Sequence, residues 1–218
     1  GIMDQTIVAS ARAQTAMLLD CRDLSKTFVP IDPNELRVVI ANSMVKHELS
    51  GGEYAERRSQ CEEAVEFLSR GDPAIESLRD ANMKQLLAAE GKISDTIFRR
   101  ARHVVSEIAR TTQFAQLLGQ KRYDDAGQLM IASHVSLRDD YEVSTAELDF
   151  LQEEAMKVKG VYGARMTGGG FGGCIVALTQ PRAAEPVMDR LKQAYPSRFG
   201  KIPGLFVTNA TAGASVLV

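Results

Sequence analysis

Gly163-Ala164-Arg165-Met166-Thr167-Gly168-Gly169-Gly170-Phe171-Gly172-Gly173-Cys174, running on into the apolar Ile175-Val176-Ala177-Leu178, is the stretch that orders the rest of this chain. Five of the six residues from Gly168 to Gly173 are glycine. So much sacrificed backbone order implies a main chain that something must approach closely. Amides bare of Cβ atoms can form a concave nest for an anion, with phosphate the usual occupant. The same residues spell G-x-G-x-x-G, but a dinucleotide fold needs a helix after the glycines. Cys174 to Leu178 is instead a short apolar, β-branched run that reads as a strand. No G-K-[ST] is present, which removes the P-loop as well. Two readings stay open on spacing alone: a cradle near a phosphate, or a turn whose missing side chains let two strands or a helix pack tightly.

Around that stretch lie 218 residues, enough for one large or two small domains, with 44% hydrophobic and 25% charged residues, an ordinary globular balance. A net charge of -2 with few aromatic residues supplies neither the basic field nor the stacking platforms that nucleic acid requires. No apolar run approaches the roughly 18 to 20 residues of a membrane span. Three scattered cysteines, Cys21, Cys61 and Cys174, suit reduced thiols and a cytoplasmic protein, and His47, His103 and His134 share no metal-ligand spacing with them. The opening Gly1-Ile2-Met3-Asp4-Gln5 runs straight into a helical pattern, so the chain is expected to begin in mid-fold.

Taken in order, a short helix is expected from Asp4 to about Arg12, with the carboxylate in the first turn where the helix dipole favours it. Ala16–Cys21 and Lys26–Pro30 suggest a hairpin. Leu36–Ala41, nearly all apolar, reads as an interior strand. Ala55–Leu68 is amphipathic, with Glu56-Arg57-Arg58 expected on a solvated face. Helical spacing then dominates from Pro73 to Val158: a long helix holding Ile97, Ala101, Val104 and Ile108, another over Ala126–Val135 broken at Ser136, and a third after the capping residues Ser144 and Thr145. His103 reads as a packed side chain of the long helix. A helix over Arg182–Tyr195 and two short strands, Leu205–Asn209 and Ser215–Val218, complete an α+β domain: an antiparallel sheet with helices packed on one side.

Several separated stretches together resemble one family, the galactokinases of the GHMP small-molecule kinase superfamily. Gly1-Ile2-Met3-Asp4-Gln5 is similar to the family's catalytic-aspartate motif. Cys21-Arg22, the block from Asn42 to Glu62 with His47, Glu53-Tyr54 and Arg57-Arg58, and Ser133-His134 with Ser136 to Val143 resemble galactokinase stretches. Gly163 to Cys174 resembles the superfamily's third motif. The galactokinase sugar signature, of the type G-R-x-N-L-x-G-E-H-x-D-Y, and the serine-rich phosphate loop do not occur in this sequence. The resemblance is therefore to the C-terminal portion of such an enzyme, with residues 1–30 the tail of the N-terminal kinase domain and 31–218 the C-terminal domain.

The resemblance implies phosphoryl transfer from ATP to the C1 hydroxyl of α-D-galactose, with Mg2+ as cofactor. It makes Asp4 the base on that hydroxyl, Tyr54 a hydrogen-bonding partner of the sugar, and Gly1 a piece of backbone close to it. Gly168, Gly169, Gly170, Gly172 and Gly173 would line the nucleotide phosphates or brace the phosphate loop, and both roles stay open. The magnesium ligands are expected in the N-terminal domain, so none is assigned here, and Arg165 takes no catalytic role merely for sitting near glycines. The partners implied are galactose, ATP and the missing N-terminal domain, with no nucleic acid and no membrane, and the chain by itself is expected to be inactive. A non-catalytic sugar and ATP sensor, or a kinase acting on N-acetylgalactosamine, shares most of these motifs.

Overall fold

The computed structural model describes residues 2–45 and 52–215. Gly1, residues 46–51 with His47, and residues 216–218, where the sequence suggests a final strand, lie outside them. Helix α1 (Met3–Ser10) leads into the hairpin β1 (Thr15–Leu19) and β2 (Lys26–Pro30), which forms a two-stranded sheet of its own. Then come β3 (Arg37–Asn42), α2 (Glu53–Ser69), α3 (Met83–Leu87), α4 (Asp95–Gly119), α5 (Tyr123–Asp139), α6 (Ala146–Met156), β4 (Val161–Thr167), β5 (Cys174–Thr179), α7 (Ala184–Phe199) and β6 (Gly204–Thr208).

Strands β4-β5-β3-β6 form one antiparallel sheet in that order. The apolar β3 lies inside it, as its sequence requires. Alternation along the strands separates two faces. Val39, Ala41, Ala164, Met166, Ile175 and Ala177 turn to one face, where Leu148 and Leu151 of α6 and Val187, Leu191 and Tyr195 of α7 bury them. Each fully buried leucine there contributes about 2 kcal/mol of transfer free energy. On the other face, Val38, Val176 and Leu178 meet Leu118 of α4 and Met130 of α5 over part of their length. A third cluster joins α2, α3 and α4 through Leu68, Leu86, Phe98 and Ala101. The result is the expected α+β antiparallel sheet with helices.

Helix α5 packs against the outer edge of β4. A Cβ on Gly127 would stand 1.9 Å from the Tyr162 carbonyl oxygen, so helix backbone touches strand backbone there. Edge strands expose unpaired amides and carbonyls, and covering that edge removes a site for foreign strand pairing. Two side chains complete the cover: His134 Nδ1 accepts the Met166 amide at 3.1 Å, and Gln152 Nε2 donates to the Ala164 carbonyl at 3.3 Å.

Local signals and tertiary contacts differ in places. Thr145 caps α6 by accepting the Leu148 amide, as its position suggests. Helix α5 does not break at Ser136. Its hydroxyl lies 3.0 Å from His103 Nδ1 and is buried with it, and the helix continues to Asp139. Helix α7 likewise runs past Tyr195 through Pro196, because a proline in the last turn forfeits one amide hydrogen bond, and stops at Gly200 with φ +65°. Ser215 is not in a strand. His103 is the packed histidine its helix implies: it lies 4.6 Å from the Tyr141 ring, and burial pushes its pKa down to about 4, so it is neutral at physiological pH.

Candidate active site

The glycines form the tip of a β-hairpin that closes where Thr167 pairs with Cys174. Three neighbouring segments hold it. The Phe171 amide donates to the Val143 carbonyl at 2.7 Å, the Gly173 amide reaches the Val45 carbonyl at 3.4 Å, and the amide and hydroxyl of Ser43 both donate to the Gly173 carbonyl, at 2.8 and 2.9 Å. Gly170, with φ +86°, and Gly172, with φ +128°, sit where a Cβ would come within 2.3 Å of the Val143 oxygen and 2.6 Å of the Val45 oxygen. For these two the tight-packing reading is the right one.

Gly168, Gly169 and Gly173 face open space. Gly168 and Gly173 have positive φ, near +81° and +82°, which accounts for glycine at both. Gly169 has no positive φ, and a Cβ placed on it would meet nothing within 4 Å. The fold gives no reason for glycine at Gly169, whereas a ligand lying on the backbone would. We therefore expect Gly169→Ala in the full-length protein to leave the melting temperature unchanged or slightly raised, and to lower kcat/KM for the nucleotide by about tenfold or more, since displacing reacting groups by about an ångström is costly. Unchanged kinetics would show that nothing approaches that residue.

Helix α2 reaches the hairpin through Arg57. Its Nε donates to the Tyr141 carbonyl at 2.8 Å and Nη2 to the Glu142 carbonyl at 3.1 Å, while the guanidinium stands 5.9 Å from the Phe171 ring centre. Arg57 thus departs from the solvated face expected of it, with a side chain only 11% exposed; Glu56 and Arg58 remain on that face. Tyr54, one turn earlier on α2, is 65% exposed, and its hydroxyl makes no hydrogen bond to another described residue.

The partly covered face of the main sheet opens as a cleft of about 400 Å³ whose polar wall is Glu107, Arg110, Ser133, Arg165 and Thr167, with Met3 of α1 at its rim. Glu107 organises that wall. It accepts from Ser133 Oγ, from Arg165 Nη1 at 3.0 Å and from Arg110. Burial lowers the pKa of Arg165, but the adjacent Glu107 carboxylate opposes that, and the guanidinium stays charged. Met3 precedes Asp4 and Thr167 precedes Gly168, so the start of α1 and the stem of the glycine hairpin border one cleft. Asp4 is exposed in the first turn of α1, and its carboxylate has no ion pair or hydrogen bond with another described residue. Met3, next to Asp4, and Thr167, next to Gly168, thus line one cleft, although neither Asp4 nor any of the glycines is itself among its lining residues, and Tyr54's helix reaches the hairpin through Arg57. Gly1 lies outside the described residues. Sequence reasoning misses Arg57 and Glu107, whose partners include residues more than fifty positions away and leave no local pattern.

A nucleotide phosphate has room against the backbone at Gly168 and Gly169, where a Cβ would meet no described atom within 4 Å. Magnesium does not find a site in the same way: among the described residues, no group of three histidine, cysteine, aspartate or glutamate side chains could hold a metal ion. Nor, among them, is any helix long and apolar enough to cross a membrane.

The family described as GHMP kinases C terminal matches residues 114–197, from the end of α4 into α7. The human galactokinase is 47% identical over 217 residues, covering 100% of this chain and 53% of the relative. The galactokinase of Chloroflexus aurantiacus is 45% identical, covering 99% and 55%. The crystal structure of Lactococcus lactis galactokinase complexed with galactose superposes with a TM-score of 0.92 at 34% identity, covering the whole of this chain and 56% of that one. The chain spans about half the length of the curated relatives it matches.

Proposed function

We infer, from a chain that corresponds by similarity to the C-terminal portion of the galactokinases in the GHMP kinase superfamily, that the full-length protein phosphorylates the C1 hydroxyl of α-D-galactose with ATP. The observation that carries this reading is the cleft bordered by both Met3 and Thr167, which sets the helix of Asp4 beside the glycine hairpin in a chain similar to galactokinases from end to end.

In this reading Asp4 accepts the proton of the sugar's C1 hydroxyl, a role that needs an ionised carboxylate within hydrogen-bond reach of the attacking oxygen. Tyr54, with its hydroxyl unengaged by the described residues, hydrogen-bonds a sugar hydroxyl. Gly1 offers backbone to the same ring. The amides of Gly168 and Gly169 face the phosphates, and Gly173 leaves room beside them without a Cβ, while Gly170 and Gly172 lock the hairpin that presents them. ATP with Mg2+ supplies the phosphoryl group and offsets its charge, and the metal's ligands belong to the preceding domain. The work left to this chain is orientation and proton acceptance.

We assign residues 1–30 to the end of that preceding domain. Helix α1 buries none of its residues and exposes Met3, Ile7 and Val8. An apolar groove of about 670 Å³ lies between α1, β1 and residues 208–214. Apolar surface of this extent beside a helix with nothing buried suits a second domain packed over it. The unpaired Cys21, Cys61 and Cys174 suit the cytoplasm.

The test is a coupled ADP-release assay on the full-length protein, with the sugar product identified. Galactose-dependent turnover yielding galactose 1-phosphate is expected, and none from the 218-residue chain alone. Turnover only with N-acetylgalactosamine would reassign the substrate. Protection from thermal unfolding by galactose and ATP without any turnover would identify a sensor instead of an enzyme.

A further inference from the structure

We propose that His134 is a positioning residue that fixes the height of the glycine hairpin over the cleft; this rests on the kinase reading above. His134 is 1% exposed near the C-terminal end of α5. Its Nδ1 accepts the amide of Met166, two residues before Gly168, at 3.1 Å. Accepting there puts the proton of the neutral ring on Nε2, which faces Asp149 Oδ1 at 3.2 Å without the alignment of a formed hydrogen bond. Asp149, held in turn by the hydroxyl of Ser144, lies against the ring from α6. The neighbouring Ser133 turns the other way and donates to Glu107, the carboxylate that carries Arg165.

The consequence is mechanical. On its inner side the stem of the hairpin is held by β5, through the pairing of Met166 with Ile175 and Thr167 with Cys174. On its outer side β4 has no neighbouring strand among the described residues, and at Met166 the imidazole takes the place that a strand carbonyl would fill. Removing that acceptor leaves a buried amide unpaired and frees the stem to move outward just where the open amides of Gly168 and Gly169 begin. Val143 and Ser43 hold only the far side of the tip, at Phe171 and Gly173.

The two amide analogues of histidine separate this role from simple core filling. The oxygen of asparagine falls near the position of Nδ1 and can still accept from Met166, whereas the terminal amide of glutamine falls near Nε2 and leaves Met166 unpaired. In full-length enzyme whose wild type has first been shown to turn over galactose, we expect His134→Gln to raise KM for ATP by about tenfold or more while KM for galactose changes less than about threefold, the signature of a displaced nucleotide loop. His134→Asn should recover most of that loss. Hydrogen exchange supplies a readout independent of activity: the Met166, Gly168 and Gly169 amides should exchange faster in the glutamine variant and near the native rate in the asparagine variant. Equal behaviour of the two variants in both measurements, or losses for ATP and galactose that simply track the melting temperature, would overturn the assignment. An inactive wild type would instead sink the kinase reading, while the exchange comparison would still decide whether His134 holds the hairpin.

Discussion

Gly127→Ala is expected to lower the melting temperature of the full-length protein by about 10 °C or to prevent folding, although alanine is the better helix former by about 1 kcal/mol. The two effects have opposite sign, and the geometry decides between them. A methyl on Gly127 would lie 1.9 Å from the Tyr162 oxygen and 2.3 Å from its carbonyl carbon, and the reciprocal position on Gly163 would lie 2.3 Å from the Gly127 oxygen. Every one of those atoms is backbone, so no rotamer change relieves the clash, and α5 has to lift from β4. Overpacking of a core ordinarily costs about 1–3 kcal/mol, and here it also stretches the 3.1 Å bond between His134 and Met166. A net loss of about 3 kcal/mol or more corresponds to the stated shift at about 2–4 °C per kcal/mol when these 218 residues unfold as one unit of the longer protein. Gly169→Ala is the internal control, with open space at the same kind of substitution. A melting temperature for Gly127→Ala equal to or above wild type would mean that α5 does not sit on the edge of β4 as described.

That contact also marks what the sequence can and cannot disclose. The interior position of β3 follows from Leu36 to Ala41 being almost wholly apolar, and the start of α6 follows from Thr145, because both signals lie within a few residues of the structure they specify. The glycine stretch declares a close approach but not its object. Only the fold divides it into Gly170 and Gly172, which touch Val143 and Val45, and Gly169, which faces open space. Gly127 carries no signal, since a lone helical glycine looks like a weak spot until the strand beneath it is known. Arg57 reads as solvated because its neighbours Glu56 and Arg58 are, yet it reaches carbonyls 84 and 85 positions away. Pro196 marks an end that α7 passes by one turn. Periodicity and caps report on local order. The clamps around the hairpin are made by residues that meet only after the sheet and helices have assembled.

Asp4→Asn in the full-length enzyme should lower kcat by about 100- to 10,000-fold, the usual contribution of a positioned general base, while galactose still protects the protein from thermal unfolding nearly as well as in the wild type. The structure makes this a clean substitution. Asp4 is exposed, in the first turn of α1, and its carboxylate bonds to no other described residue, so replacing one carboxylate oxygen by an amide nitrogen breaks no hydrogen bond or ion pair among them. Asparagine keeps the volume and can still hydrogen-bond the sugar, but it is neither charged nor basic. A loss confined to kcat would therefore report the chemistry and not the fold, and a loss shared equally by kcat and galactose binding would make Asp4 a sugar anchor. Asp4→Glu sharpens the distinction. It restores the charge but moves the carboxylate by one methylene, so it should recover little turnover if the oxygen must meet one hydroxyl at hydrogen-bond distance. Substantial recovery would point to general electrostatic attraction at the mouth of the cleft. Near-normal turnover of Asp4→Asn would remove the base from this carboxylate altogether, and with it the reason for reading the helix of Asp4 and the glycine hairpin as two sides of one active site.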